Sequence, residues 1–456
     1  MSETRNRSAK DDLGEKPVGP LLLKLAVPAI VGIFAVVVYN VVDTIFVGRW
    51  VGGLGIAAIG VVSPIGMLIA TLGMSVGVGS ASIISRAFGR DDSKTACQTF
   101  GTAISLTVSL SLIAVVLGYV FEEPVLRAFG AKGDIYPTAK EYYDIILLGL
   151  PLLAFAMMSN NVMRAEGEAK VAMMTMVIPG VINIALDPIF IKVLDLGVAG
   201  SAWATIIAYA SSALFSIWYF ASGRSSVLFI PAFLKPSMAI TREIFAIGIT
   251  TWARQGSASL LALVVNNVLF THGGELAVTS FTIVGRMLMV AFIPLFGLTQ
   301  GFLPVTGYNF GAQAWERVRD SLRISLVSAA AISTLLFVLL ELCARPIVLL
   351  FTSDAELVEA TIRPFRVIFL GTPVVGIQLL GAAYYQAIGK AIPALVLTLT
   401  RQSLFLIPLV LILAPIYGLD GVWFAFPVAE VMAMLLTMGF LIPQLRQLNR
   451  KIPQTV

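Results

Sequence analysis

The sequence predicts an all-α integral membrane protein: twelve transmembrane helices in two six-helix lobes related by an internal repeat. Three observations carry that expectation. The composition suits lipid rather than water, twelve apolar runs are long enough to cross a bilayer, and the second half of the chain repeats the first in register.

Of 456 residues, 58% are hydrophobic and 12% charged, against about 25% charged in soluble proteins. Mean hydropathy is +0.91. Such a chain cannot cover a water-facing surface, so lipid is its main solvent. The net charge of +5 does not point to nucleic acid, because the basic residues lie in short segments between apolar runs, with no aromatic-interleaved patch. The two cysteines, Cys97 and Cys343, and the single His272 offer no disulfide framework and no His-based metal site.

A spanning helix needs about 20 mostly apolar residues. The candidates are 20–47, 54–84, 95–121, 136–163, 169–191, 196–222, 241–270, 276–308, 320–342, 357–387, 391–414 and 420–445. Several exceed the minimum, so tilted or kinked helices are expected. The first run is too long for a signal-peptide core and is preceded by a charged tail.

An even number of spans puts both termini on one side. The tails and alternate loops carry eighteen Lys and Arg residues, among them Arg5, Arg86, Arg164, Arg224, Arg317, Lys390 and Arg450. The remaining loops carry five: Arg49, Arg127, Lys132, Lys192 and Arg345. By the positive-inside rule both termini are cytoplasmic, in a cytoplasmic (inner) membrane.

Adding 222 to first-half positions gives matches in the second half. Phe88-Gly89 meets Phe310-Gly311, Pro124 meets Pro346, Gly149 meets Gly371, Pro151 meets Pro373 and Gly167 meets Gly389. With a one-residue slip, Gly197 and Gly200 meet Gly418 and Gly421. A six-helix unit inserts twice with the same orientation, the lobes related by an axis along the membrane normal. The expected divisions are a cytoplasmic tail at 1–19, a first lobe at 20–222, a cytoplasmic linker at 223–241, a second lobe at 242–445 and a tail at 446–456. This plan around a central cavity suits alternating access.

A carboxylate inside the membrane costs roughly 2.5–3.5 kcal/mol on insertion scales, so each one is a functional candidate. Asp43 falls in the first helix and Asp187 in the fifth. Their repeat positions hold Val265 and Leu409 (Pro408 with the slip), so the second lobe lacks both acids. Tyr39 and Asn40 precede Asp43 by four and three residues, and Asn183 precedes Asp187 by four. Asn160 and Thr205 add a carbonyl and a hydroxyl. Asp43, Asp187, Asn183, Asn160 and Thr205 form an oxygen set able to hold Na⁺, and the two acids are equally able to share protons. The plain alternatives are that Asp43 is simply solvated near the extracellular end and that Asp187, before Pro188, completes a loop-end turn.

Pro28 interrupts the first helix fifteen residues before Asp43 and is expected to kink it, as a gate answering the charge on Asp43 or as a static bend. In the second lobe Arg254, Arg286, Arg401 and Glu430 stand at depth, with structural pairing the first expectation. Met157, Met158, Met163, Met173, Met174 and Met176 offer a soft surface for varied apolar ligands, or simply pack against lipid. Met157, Met173, Arg286 and Gln255 are the substrate-cavity candidates.

Four motifs stand out: Pro28 followed by Tyr39-Asn40-Val41-Val42-Asp43; Ser85-Arg86-Ala87-Phe88-Gly89; Arg164-Ala165-Glu166-Gly167; and Asn183-Ile184-Ala185-Leu186-Asp187-Pro188. With them the chain resembles the multidrug and toxic compound extrusion family over about residues 18–445, and within it the branch of the DNA-damage-inducible transporters. The resemblance implies efflux of organic, often cationic or amphipathic compounds in exchange for H⁺ or Na⁺. It implies a cation site at Asp43, Asn160, Asn183, Asp187 and Thr205. A second branch places acids on helices seven and ten, where this chain has Gln255 and Gln378, which argues against a second-lobe Na⁺ site. A monomer with no cofactor beyond its coupling ion is expected.

Two other functions compete. A lipid-linked saccharide or lipid flippase of the same wider superfamily would favour a more charged cavity, and deep basic residues are nearly absent from the first lobe. A membrane enzyme acting on lipid needs a His-Asp, Ser-Lys or metal-ligand grouping, and none is found, so no enzymatic activity is expected.

Overall fold

Helices account for nearly all of the computed structural model, which describes residues 12–452. Residues 1–11 and 453–456, parts of the two expected tails, lie outside the described residues. The first-half spans are α1 Val18–Trp50, α2 Gly53–Gly89, α3 Ser93–Val120, α4 Ile135–Ala165, α5 Ala169–Asp187 and α6 Gly197–Ala221. Each expected span is present, most of them a few residues longer than its apolar run. Caps explain some of the extra length: the Asp92 carboxylate accepts the Thr95 N–H at 3.0 Å and starts α3.

In the second half, 238–311 reads as one helical stretch of 74 residues. At 1.5 Å per residue it would be about 110 Å long, several bilayers thick, so it cannot be a single crossing. Gly274, at φ 62 and ψ −158, breaks it. The spans α7 (238–273) and α8 (275–311) are therefore separate. Then follow α9 Trp315–Leu342, α10 as Ala355–Phe369 and Thr372–Ala387 bent by 49°, α11 Ala391–Tyr417 and α12 Leu419–Lys451. That makes twelve crossings among the described residues of a multi-pass membrane protein.

The repeat holds at the level of whole elements. Gly52 and Gly274, 222 residues apart, both turn the chain at positive φ (92 and 62). So do Asp91 and Gln313, at φ 56 each, and Gly167 and Gly389. Helix α3, Ser93–Val120, maps end for end onto Trp315–Leu342. After the one-residue slip, Gly197 and Gly418 match at φ 55 and 60. A residue with a side chain is strained in such turns, so glycine marks them in both halves.

Contacts divide the described residues into two units, one of 27–251 with 12–16, the other of 17–26 with 252–452. The expected boundary at the 223–241 linker is therefore not where contacts divide. The first half of α7 groups with the first lobe, and the first turns of α1 with the second. Helix α1 runs through Pro28 without a break, and Pro28 stands just past that division. The linker itself is mostly extended, with one short 3₁₀ turn, Pro231–Leu234.

Candidate functional site

In the first unit, close approach of small residues brings three helices together around the two acids. A Cβ on Gly180 of α5 would lie 3.1 Å from the Tyr39 ring of α1, so this glycine lets α5 sit against α1. A Cβ on Gly200 of α6 would lie 2.7 Å from the Phe190 backbone. Phe190 belongs to the π-helical turn Pro188–Val193 that continues α5 past Asp187. Such turns are frequent at functional sites, since one wide turn re-aims the side chains beside it.

The result is a buried oxygen cluster. Asp43 is 9% exposed and Asp187 fully buried, and their carboxyl groups lie close enough to interact. The Ser201 hydroxyl donates to Asp43 Oδ1 at 2.9 Å. The Asn183 amide reaches Asp187 Oδ1 and Thr205 Oγ1, each at a long 3.4 Å. Asn183 Oδ1 and Asp187 Oδ2 are buried without a hydrogen-bond partner. A buried acceptor left unmatched is costly, so these two atoms mark where a proton or small cation is wanted. Hard oxygen donors suit Na⁺, and a proton needs only the two carboxyl groups.

Sequence reading named Asp43, Asp187, Asn183, Thr205 and Tyr39, and the structure gathers them. Tyr39 packs against Gly180 and lines a cavity next to the cluster. Two polar neighbours were missed. Ser201 lies one turn before Thr205 on α6, a spacing legible in the sequence. Tyr142 of α4, 6% exposed, is the other, close to Thr205.

Asn160 is directed elsewhere. Its amide donates to Ala172 O at 2.6 Å and Thr175 Oγ1 at 2.8 Å, while its carbonyl accepts from Arg164 Nε at 2.9 Å. Its bonding capacity goes to a network at the far end of α4, not to the acids. Asn40 is exposed and donates to Val36 O of its own helix at 2.7 Å. The methionines divide: Met158 and Met163 are fully buried packing, Met174 points outward, and Met157 and Met176 line the cavity beside Tyr39. Met173 is half-buried, its backbone near Gly32. In the second unit Gln255 of α7 is half-buried, whereas Arg286 of α8 is exposed.

Arg164 corrects one expectation. Read as a loop residue, it is 4% exposed in the last turn of α4, so the first lobe does bury a basic side chain. Beyond the end of α4, Glu166 is 1% exposed and gathers four donors: Tyr219 at 2.7 Å, Ser225 at 2.6 Å and the backbone N–H groups of Ser226 and Val227. It thereby ties the α4 end to the chain leaving α6. Burial outweighs those donors and pushes its carboxyl up to about 7.

The second unit contains a different polar device. Arg401 Nε lies 3.3 Å from Glu430 Oε1, and the guanidinium stacks over Phe292 at 5.2 Å. Arg401 sits in a second π-helical turn, Thr400–Leu406. Gly371 packs against the Glu430 side chain and the Pro427 backbone. This is the pairing the sequence led one to expect.

Comparison with known proteins agrees with the helical plan. The sequence profile of the MatE family matches residues 28–189 and 258–412. The chain is 28% identical over 432 residues to the multidrug export protein MepA of Staphylococcus haemolyticus, covering 95% of each. It is 27% identical over 424 residues to MepA of Staphylococcus aureus, covering 93% of each. A solved structure described as the outward-facing conformation of a multidrug resistance MATE family transporter superposes with a TM-score of 0.87 at 27% identity, covering 96% of this chain and 98% of the other.

Proposed function

The chain belongs to the MatE family, and from that premise we propose that it exports organic, often cationic or amphipathic compounds in exchange for H⁺ by alternating access. The carboxyl contact between Asp43 and Asp187 supports the ion choice. Two buried carboxyl groups this close, each largely removed from water, disfavour carrying two negative charges at once, and sharing a proton relieves that. Ser201 holds Asp43 as an acceptor, Asn183 bridges Asp187 to Thr205, and Tyr39 closes the side toward α1. Loading a second proton makes the pair neutral, and losing both leaves like charges in contact that must separate. That two-state behaviour is what couples proton traffic to a conformational cycle.

In this reading both termini face the cytoplasm across the inner membrane, the protein works as a monomer, and no cofactor takes part. The branch is that of the DNA-damage-inducible transporters, on the paired first-lobe acids. Proteoliposomes loaded with ethidium, under an imposed ΔpH or ΔNa⁺ of equal size, test the ion. The expected result is efflux driven by ΔpH and indifferent to ΔNa⁺; efflux driven by ΔNa⁺ at constant pH overturns the proton reading.

A further inference from the structure

Among the described residues, Arg164 is a buried cation without a counter-charge. Its Nε donates to Asn160 Oδ1 at 2.9 Å, Nη2 lies 3.7 Å from the Met176 sulfur, and Nη1 is buried without a partner. Glu166, two residues on, directs its oxygens to Tyr219, Ser225 and the 226–227 backbone. Burying an ion without its partner is costly, and packing alone does not call for it. Asn160 is already held by Ala172 and Thr175, and a neutral side chain would fill the same volume.

The surroundings give the charge a task. A cavity of about 30 Å³ lies beside it, lined by Tyr39, Met157, Asn160, Thr175, Met176 and Tyr209 among others. That volume admits a water molecule, and its hydroxyl and amide groups offer the partners a water needs. One end is Tyr39, a single helical turn from Asp43; the other is Asn160, which holds the guanidinium. The cavity thus lies between the Tyr39 turn of α1 and Asn160 of α4, whose carbonyl holds Arg164. The repeat supplies an internal control. The position 222 residues on from Arg164 is the neutral Gln386, in the lobe that lacks the acids.

We propose that Arg164 is the electrostatic barrier that closes the first-lobe interior to the coupling cation, so that the acids exchange it only along the transport cycle. The proposal rests on the reading of Asp43 and Asp187 as the coupling pair. An ion path through the lobe interior would dissipate the gradient without moving substrate. A fixed guanidinium in a low-dielectric passage repels H₃O⁺ and Na⁺ alike, whatever the conformation.

The test is passive proton influx into proteoliposomes of the full chain, followed by an internal pH dye at clamped potential without substrate. Arg164→Met is expected to raise influx roughly tenfold, and Arg164→Lys, which keeps the charge, to remain tight. Met176→Glu sets a carboxylate beside the intact guanidinium and is expected to leak as well; it decides the matter if Arg164→Met does not fold. Adding Asp43→Asn to the leaking variant is expected to restore tightness. Tight Arg164→Met and Met176→Glu vesicles, in a protein whose ethidium efflux follows ΔpH, overturn the barrier alone. A leak that survives Asp43→Asn also overturns it. Efflux indifferent to ΔpH in the wild type overturns the coupling reading and the barrier with it.

Discussion

The two lobes share a backbone plan and differ in what they bury. Where the second lobe sets Arg401 against Glu430, the matching first-lobe positions hold Pro179 and Tyr209, both lining the cavity beside the acids. Where the first lobe sets Asp43, Asn183 and Asp187, the second has Val265, Phe405 and Leu409. Ser201 and Thr205 give way to Val422 and Phe426. One lobe therefore buries acids that only a proton or cation can satisfy, and the other buries a charge together with its counter-charge. Duplication preserved the turns and close approaches that build the helices, while the paired acids, and with them the proposed ion chemistry, belong to one copy.

The largest expected effect breaks this comparison at its functional end. Asp187→Asn should lower ΔpH-driven ethidium efflux roughly a hundredfold while the protein still folds, since the substitution removes a buried charge. Driven efflux at the wild-type rate would mean the acids are structural. Next comes the second lobe. Glu430→Leu strands Arg401 and should destabilise by about 3–5 kcal/mol, whereas Arg401→Met with Glu430→Leu should be near neutral or stabilising. Thermal unfolding in detergent measures both, and a double variant as unstable as the single would show that the pair does more than neutralise itself.

A smaller effect concerns Glu166. Its folded-state carboxyl sits near 7 against an ordinary 4.5, so the folded state holds a proton that the unfolded chain has released. Stability is then greatest below 4.5 and declines as pH rises toward 7, by on the order of 3 kcal/mol across that window. Glu166→Gln should flatten this dependence in thermal scans from acid to neutral pH; an unchanged slope would place it on another group. The smallest effect is expected at Ser201→Ala, which removes one hydrogen bond to Asp43. It should cost about 1–3 kcal/mol in the charged state, read as a rise in the pH at which half-maximal efflux occurs.

Much of the architecture was legible because Gly and Pro are tied to backbone geometry. The pairs Gly52–Gly274 and Gly167–Gly389 recur as turns at positive φ, which sequence spacing can locate. The break at Gly274 falls in the gap between the spans expected at 241–270 and 276–308. The acids were legible because a membrane helix tolerates few of them. Ligand choice was less so. Asn160 has the right chemistry and depth, but a residue four positions on, Arg164, takes its carbonyl. Arg164 itself sits at a helix end, where a loop residue and a buried one look the same in sequence. The π-helical turn after Asp187, which brings α6 and Ser201 to the site, follows from packing that no local pattern encodes.

The central claim is that proton chemistry resides in the first lobe alone. It is tested most directly by counting protons released when ethidium binds to the detergent-solubilised chain in weak buffer. The wild type and the Arg401→Met, Glu430→Leu double variant are expected to release protons on binding, and Asp43→Asn to bind without release. Undiminished release from Asp43→Asn, or its loss in the second-lobe double variant, would contradict the account.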